Sequence, residues 1–297
     1  LNRELKIIFM KVAIASGKGG TGKTLLSVHL FDNLMQSGEQ VVLVDCDAEE
    51  PNDMIFFDGK LIDEAEVLQQ TPIIDTDKCT FCGKCHEYCN YNAIFYLPPA
   101  SMIHVIDELC HGCGACNVAC KFGAITERPL SLGVVRNYQI RPNARIVESR
   151  IKVGVMTPVP LIKAGLKQIR NEPFVLLDSP PGTSYPFIHT ILDADYVILI
   201  TEPTPFGLSD LKQSVETLKT VGKAYGVIIN KAGIGDSNIY DYLKNENIEL
   251  LMEIPFDKEI AYHYSKGELL TEYNPKLQSD LNNLLNNIHK KYGTSNN

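Results

Sequence analysis

Eight of the nine cysteines in this 297-residue chain fall into two copies of one spacing. The first run is Cys79-x-x-Cys82-x-x-Cys85-x-x-x-Cys89, and the second is Cys110-x-x-Cys113-x-x-Cys116-x-x-x-Cys120. Three thiolates at successive steps of three residues can wrap three iron corners of a cubane. Zinc is the alternative, because Cys-x-x-Cys steps suit it too. Zinc, however, prefers two separated pairs and has no use for a third cysteine at that step followed by a fourth. The spacing therefore points to iron–sulfur sites.

The two runs resemble those of bacterial two-cluster ferredoxins, in which the fourth cysteine of each run ligates the other cluster. The resemblance implies one [4Fe–4S] site from Cys79, Cys82, Cys85 and Cys120. Cys110, Cys113, Cys116 and Cys89 would make the second. Each run is followed by a similar segment, Asn92-Ala-Ile-Phe and Gly123-Ala-Ile-Thr, so the unit is an internal repeat. The proline that often follows the fourth cysteine is absent, with Asn90 and Lys121 in its place.

Around this unit the texture is different. Val12–Ala15 is an apolar strand entering a glycine-rich loop, Lys23–Met35 has helical periodicity, and Val41–Asp45 is a second buried strand. After a polar stretch around Arg136–Arg150 the alternation resumes. Phe174–Asp178, Tyr196–Thr201 and Gly226–Asn230 read as strands, and Leu208–Tyr225 and Leu277–Tyr292 as helices. The expectation is an α/β fold, a doubly wound and largely parallel sheet with the two-cluster unit inserted in it. The boundaries read as residues 1–71 and 131–297 for the α/β domain and 72–130 for the insert.

At 44% hydrophobic and 22% charged, the chain has enough apolar residues for one large core or two smaller ones. Its longest apolar runs have the length of buried strands, not membrane spans. No secretory signal is visible, and thiolates that must stay reduced place the protein in the cytoplasm. Residues 1–9 precede a strand with a natural start at Met10 and read as an upstream extension. The formal net charge is −8. Eight ligating thiolates and two cubane cores would bring it to roughly −12. Such an acidic chain is not expected to bind nucleic acid, which demands a basic surface.

Gly17-Lys18-Gly19-Gly20-Thr21-Gly22-Lys23-Thr24 fits the phosphate-loop pattern in its confirming context, between a strand and a helix. Backbone N–H groups at Gly19, Gly20, Thr21 and Gly22 would converge on phosphate oxygens at a helix N-terminus. Lys23 would reach the β- and γ-phosphates, and Thr24 would hold Mg²⁺. Asp45 and Asp47 end the second strand, where a carboxylate can face the metal and the attacking water. Asp178 ends another strand before the rigid Ser179-Pro-Pro-Gly182 turn, the place for the acidic residue that holds Mg²⁺ through water. Asn230-Lys231 ends a strand at the same carboxyl edge, where open α/β sheets bind ligands.

With Lys18 included, the loop resembles the deviant Walker A motif of the MinD/ParA/Mrp ATPases and the nitrogenase iron protein. Val44–Asn52, Leu177–Thr183 and Thr201–Leu208 extend the resemblance over nearly the whole chain, toward members with an inserted ferredoxin domain. It implies that ATP is bound with Mg²⁺ and hydrolysed within an ATP-dependent homodimer or paralogous heterodimer. It also implies that Lys18 reaches the partner's phosphates, Asp47 orients the water, Asp178 is the Walker B residue and Asn230 reads the adenine. Relatives that bridge a cluster between subunits use cysteines of the core. Here the only core cysteine is Cys46, most simply a small buried residue, so the metal belongs in the insert.

The expected function is an ATPase coupled to electron flow or to docking of a redox partner protein. The alternative is an accessory ATPase in iron–sulfur or metallocofactor assembly. A positioning ATPase would need a membrane or DNA surface. The last helix, with Leu277, Leu281, Leu284, Leu285, Ile288 and Tyr292 on one stripe, lacks the basic face usual at membranes and is expected to dock on the core.

Overall fold

The computed structural model describes residues 8–270 and 273–295, so the expected upstream extension lies almost wholly outside the described residues. The first half contains β1 (Ile8–Ala15), α1 (Lys23–Gln36), β2 (Val41–Asp45), β3 (Lys60–Ile74), α2 (Lys84–Glu87), β4 (Ile94–Leu97), β5 (Met102–Val105), α3 (Ala115–Ala119), β6 (Ile125–Arg141) and β7 (Ala144–Ile151). The second contains α4 (Val159–Leu166), β8 (Phe174–Asp178), α5 (Tyr185–Leu192), β9 (Tyr196–Thr201), α6 (Pro205–Val221), β10 (Ala224–Ala232), α7 (Asn238–Asn245), β11 (Leu250–Pro255), α8 (Lys258–Ser265), α9 (Pro275–Tyr292) and β12 (Thr294–Ser295).

The main sheet runs β11-β10-β9-β1-β8-β2-β7-β6-β3, and β12 pairs with β1. From β11 through β7 every neighbouring pair is parallel. The fully buried runs of β2, β8 and β9 follow, because helices cover both faces of a parallel sheet. Alternation along β1 divides the core. Met10, Val12 and Ile14 pack with Phe31 of α1 and with Leu281, Leu284, Leu285 and Ile288 of α9. Ala13 and Ala15 face Phe187, Leu211 and Leu218 on the other side. Each large apolar side chain buried there contributes about 1.5–3 kcal/mol. The apolar stripe of the last helix is thus spent in the core, docked as expected.

The polar stretch at 136–150, for which the sequence suggests no element, is strand: β6 and β7 form an antiparallel ladder from Gly133↔Ile151 to Arg141↔Ala144. Its charges are paired in the sheet. Arg136 bonds Glu64 at 2.6 Å and Glu148 at 3.3 Å, while the buried Arg145 bonds Glu172 at 2.6 Å and Asn137 at 2.7 Å. The helix expected through Tyr225 stops at Val221 because Gly222 takes a left-handed conformation (φ 69°), and Tyr225 belongs to β10.

β3 and β6 pair antiparallel from Lys60↔Gln139 to Ile74↔Ile125. This ribbon extends the main sheet, and both cysteine runs lie between its two strands in the chain. Its tip carries the short β4–β5 hairpin and a small core around Cys85, Cys116, Ile94, Ile103 and Ile125.

Candidate functional site

The phosphate loop joins β1 to α1, and the ends of β2, β8, β9 and β10 converge beside it. Gly20 and Gly22 hold positive φ (74° and 104°). A Cβ on Gly22 would come within 2.4 Å of Asn230 Nδ2, so the loop's close approach requires glycine there. Thr24 Oγ1 donates to Asp178 Oδ2 at 2.8 Å, uniting the two groups expected to hold Mg²⁺. Gly182 N–H donates to Ser16 O at 3.1 Å and fastens the Pro-Pro-Gly turn to the loop.

Lys23 is buried, and burial lowers its pKa against the opposing pull of Asp178 and Asp47. Asp47 is raised to about 6, first by burial, with Lys23 pulling the other way. Asp45 does not offer a free carboxylate to the metal and water as expected. Its Oδ1 accepts from Asp47 N–H (3.1 Å) and its Oδ2 from Asn52 and Asp53 N–H (2.9 and 3.2 Å), so it shapes the loop that carries Asp47.

Asp53 was not legible in the sequence. It is fully buried beside Asp45 and Asp178, and burial followed by those two charges pushes its carboxyl well up. The only local sign is its place on a helical turn right after Pro51-Asn52.

Lys18 forms an ion pair with Glu202, and Lys231 Nζ bonds the other oxygen of that carboxylate at 2.9 Å. Asn230 Nδ2 donates to Thr21 O at 2.8 Å. Lys231 is left-handed (φ 54°) beside a register shift between β10 and β11, which turns Asn230 and Lys231 toward the loop. Next to them is an open cleft of about 180 Å³, lined in part by Gly22, Asn230, Pro255, Phe256, Ile260 and Tyr264. Its mostly apolar walls, with the Asn230 amide, Lys231 and Asp257 also on its lining, suit a flat heterocycle. Cys46 is buried at the strand end, where burial raises its thiol pKa well above the usual range.

The eight remaining sulfurs sort into two sets. Cys79, Cys82, Cys85 and Cys120 line one cavity. Burial raises Cys85, and the nearby Cys79 and Cys82 add to the effect. Burial likewise raises Cys110, with Cys113 and Cys89 adding to it, and it pushes Cys116 to about 11. Backbone N–H groups of Phe81, Ala93 and Gly112 donate to the sulfurs of Cys79, Cys89 and Cys110 at 3.3–3.4 Å. Left-handed Gly83, Gly112 and Gly114 make the tight turns. Among the described residues, no group of three or more His, Cys, Asp or Glu is drawn together as for a single metal ion. A cubane is ligated by one thiolate at each of four corners, and each set supplies four.

Residues 12–270 match the family described as CbiA, the CobQ/CobB/MinD/ParA nucleotide-binding domain. The chain belongs to that family. It is 33% identical to the uncharacterised protein MJ0578 of Methanocaldococcus jannaschii over 282 residues, 93% of this chain and 95% of that one. MJ0823 of the same organism, described as an uncharacterised ATP-binding protein, is 26% identical over 296 residues, 96% of this chain and 100% of that one. Among solved structures, the septum site-determining protein MinD of Pyrococcus horikoshii, complexed with Mg-ADP, superposes with a TM-score of 0.58 at 21% identity, covering 95% of this chain and 96% of that one. A chain of the MinC:MinD cell division protein complex of Aquifex aeolicus gives a TM-score of 0.57 at 17% identity, with 94% of this chain and 96% of that one covered. These likenesses bear on the fold, and it is shared. Among the described residues, no helix is long and apolar enough to cross a membrane.

Proposed function

We propose that this protein is a Mg²⁺-dependent ATPase whose nucleotide-driven dimer couples ATP to electron transfer or partner docking through two [4Fe–4S] clusters. The observation that carries the reading is a continuity: the sheet that positions the phosphate loop extends without a break into the ribbon that carries both sulfur sets. The insert at 72–130 would then be the redox module of the α/β domain at 1–71 and 131–297.

In this account Lys23 and the loop amides of Gly19, Gly20, Thr21 and Gly22 bind the phosphates, while Thr24 and Asp178 hold Mg²⁺. Asn230 and the adjoining cleft take the base. Asp47 orients the attacking water and accepts its proton, a role its pKa near 6 suits at neutral pH. Lys18 leaves Glu202 to reach the phosphates of the opposite subunit. The Mg-ADP of the P. horikoshii MinD structure and the ATP-binding description of MJ0823 support the nucleotide assignment. The clusters, when bound, would supply one-electron transfer. ATP can influence them only if its bound and free states differ in cluster environment or partner affinity.

A second reading, an accessory ATPase in cluster assembly, is favoured by the exposure of Cys82 and Cys113, one in each set. The test is turnover of the loaded protein with MgATP and an apo-acceptor. An electron carrier hydrolyses ATP and retains both clusters. Transfer of one cluster to the acceptor would replace the first reading with the second, and absence of hydrolysis would refute both.

A further inference from the structure

The two sulfur sets do not stand equally with respect to the nucleotide site. Ala48, next to Asp47, is buried against Leu132 and Leu161, with Val67, Ile151 and Val155 packed around them. Its carbonyl accepts from Ile151 N–H at 2.9 Å, and Lys152 N–H donates to Leu132 O at 2.8 Å. Val67 lies on β3, and Gln69 and Thr71 follow on the same face of that strand at period two.

Those two residues meet Cys110. Gln69 Nε2 donates to the Cys110 carbonyl at 2.9 Å, and a Cβ on Gly112 would come within 2.5 Å of the Gln69 side chain. Thr71 is completely buried, its hydroxyl closes no hydrogen bond in this structure, and the group it faces is the Cys110 sulfur. The Cys79, Cys82, Cys85 and Cys120 cavity is lined instead by Ile74 and Ile125, the last pair of the ribbon. At ~3.3 Å of rise per strand residue, Thr71 is ~13 Å beyond Val67 and Ile74 a further ~10 Å.

We propose that the Cys110, Cys113, Cys116 and Cys89 site is the inner, nucleotide-facing centre and the Cys79 site the outer one. Thr71 and Gln69 are the positioning residues that transmit the state of the Asp47 loop to Cys110. The proposal rests on reading the sulfur sets as [4Fe–4S] sites. Its chemistry is the dependence of cluster potential on hydrogen bonds to ligating sulfur. The orphaned Thr71 hydroxyl would donate to the Cys110 sulfur once a cluster is ligated there, favouring the more negative, reduced state, so its removal lowers that midpoint. Displacement of β3 by the Ala48–Leu132–Val67 contact would alter that approach of Thr71 to Cys110.

The experiment is an anaerobic redox titration of the full-length holoprotein followed by electron paramagnetic resonance. Wild type with about eight iron and eight sulfide per chain establishes the underlying reading; without them that reading fails by itself. Given that content, Thr71→Val should lower one of two midpoints and leave the other in place, and Thr71→Ser should restore it. The midpoint that moves should be the one lost in Cys110→Ala and in Cys89→Ala. Gln69→Leu gives a second probe of the same midpoint should the valine variant fold poorly. MgATP on the Asp47→Asn protein should displace that midpoint too. If Thr71→Val and Gln69→Leu move neither midpoint, or if MgATP moves only the centre lost in Cys79→Ala, the proposal is overturned.

Discussion

Lys18 and Glu202 form an ion pair within a single chain, and Lys231 closes on the other oxygen of the same carboxylate. Two lysines thus hold Glu202 at the rim of the phosphate loop, and together they lower its pKa although its burial alone would raise it. The pairing keeps Lys18 folded against its own subunit. Lys18→Ala should leave much of the nucleotide binding intact while hydrolysis falls by ~10³–10⁵-fold, the cost of losing a cation that stabilises a phosphoryl-transfer transition state. ATP-dependent dimerisation, followed by light scattering, should disappear with it. Hydrolysis at the wild-type rate would contradict the shared-site dimer.

Lys23 does a different job. Its ammonium is buried between Asp178 and Asp47, ready to neutralise phosphate charge within its own chain. Lys23→Ala should weaken MgATP binding by about 2–5 kcal/mol, the range for truncating one member of a buried charge pair. Calorimetry should therefore separate the two loop lysines, one acting on affinity and the other on turnover.

Asp47 gives the pH dependence its sign. Its folded pKa lies near 6, above the ordinary 3.8, because burial disfavours the carboxylate. Hydrolysis should fall as pH drops through about 6, where the base is protonated. In the nucleotide-free protein the same shift contributes stability that is fully present below pH 3.8 and lost as pH rises through about 6. Asp47→Asn should abolish the acidic limb of any residual rate. It should also raise stability at pH 7 by on the order of 1–2 kcal/mol after solvent screening, measurable by urea unfolding.

Much of this arrangement is legible in the sequence, where local patterning decides the structure. Val41–Asp45, Phe174–Asp178 and Tyr196–Thr201 are strands over those same residues, because each is an unbroken apolar run ended by a polar side chain. Where pairing is long-range, the pattern fades. Arg136, Arg145 and Glu148 are only part of a polar stretch with no evident element until Glu64 and Glu172 are brought beside them. Asp53 carries only a faint local signal, because a group it is buried beside, Asp178, lies far along the chain. The expectation that Asp45 faces the metal and water fails for a related reason: backbone amides of its own loop occupy both its oxygens.

Crossed ligation has a direct genetic test. Cys120 belongs to the second run, yet it lines the cavity of Cys79, Cys82 and Cys85, while Cys89 lies against Cys110. Cys89→Ala and Cys110→Ala should leave the same surviving centre by electron paramagnetic resonance. Cys120→Ala should resemble Cys79→Ala instead. Nucleotide binding should survive in all four, because no loop residue depends on these sulfurs. A Cys89→Ala spectrum matching Cys79→Ala would mean that each run closes its own cluster.

The central claim, an ATPase core that carries two cubanes, is tested most directly by analysis of protein purified without oxygen. Iron, acid-labile sulfide and zinc should be measured per chain on the same sample. Each four-cysteine set would hold one cubane, so the account predicts a brown protein with about eight iron and eight sulfide. Stoichiometric zinc with no acid-labile sulfide would contradict it.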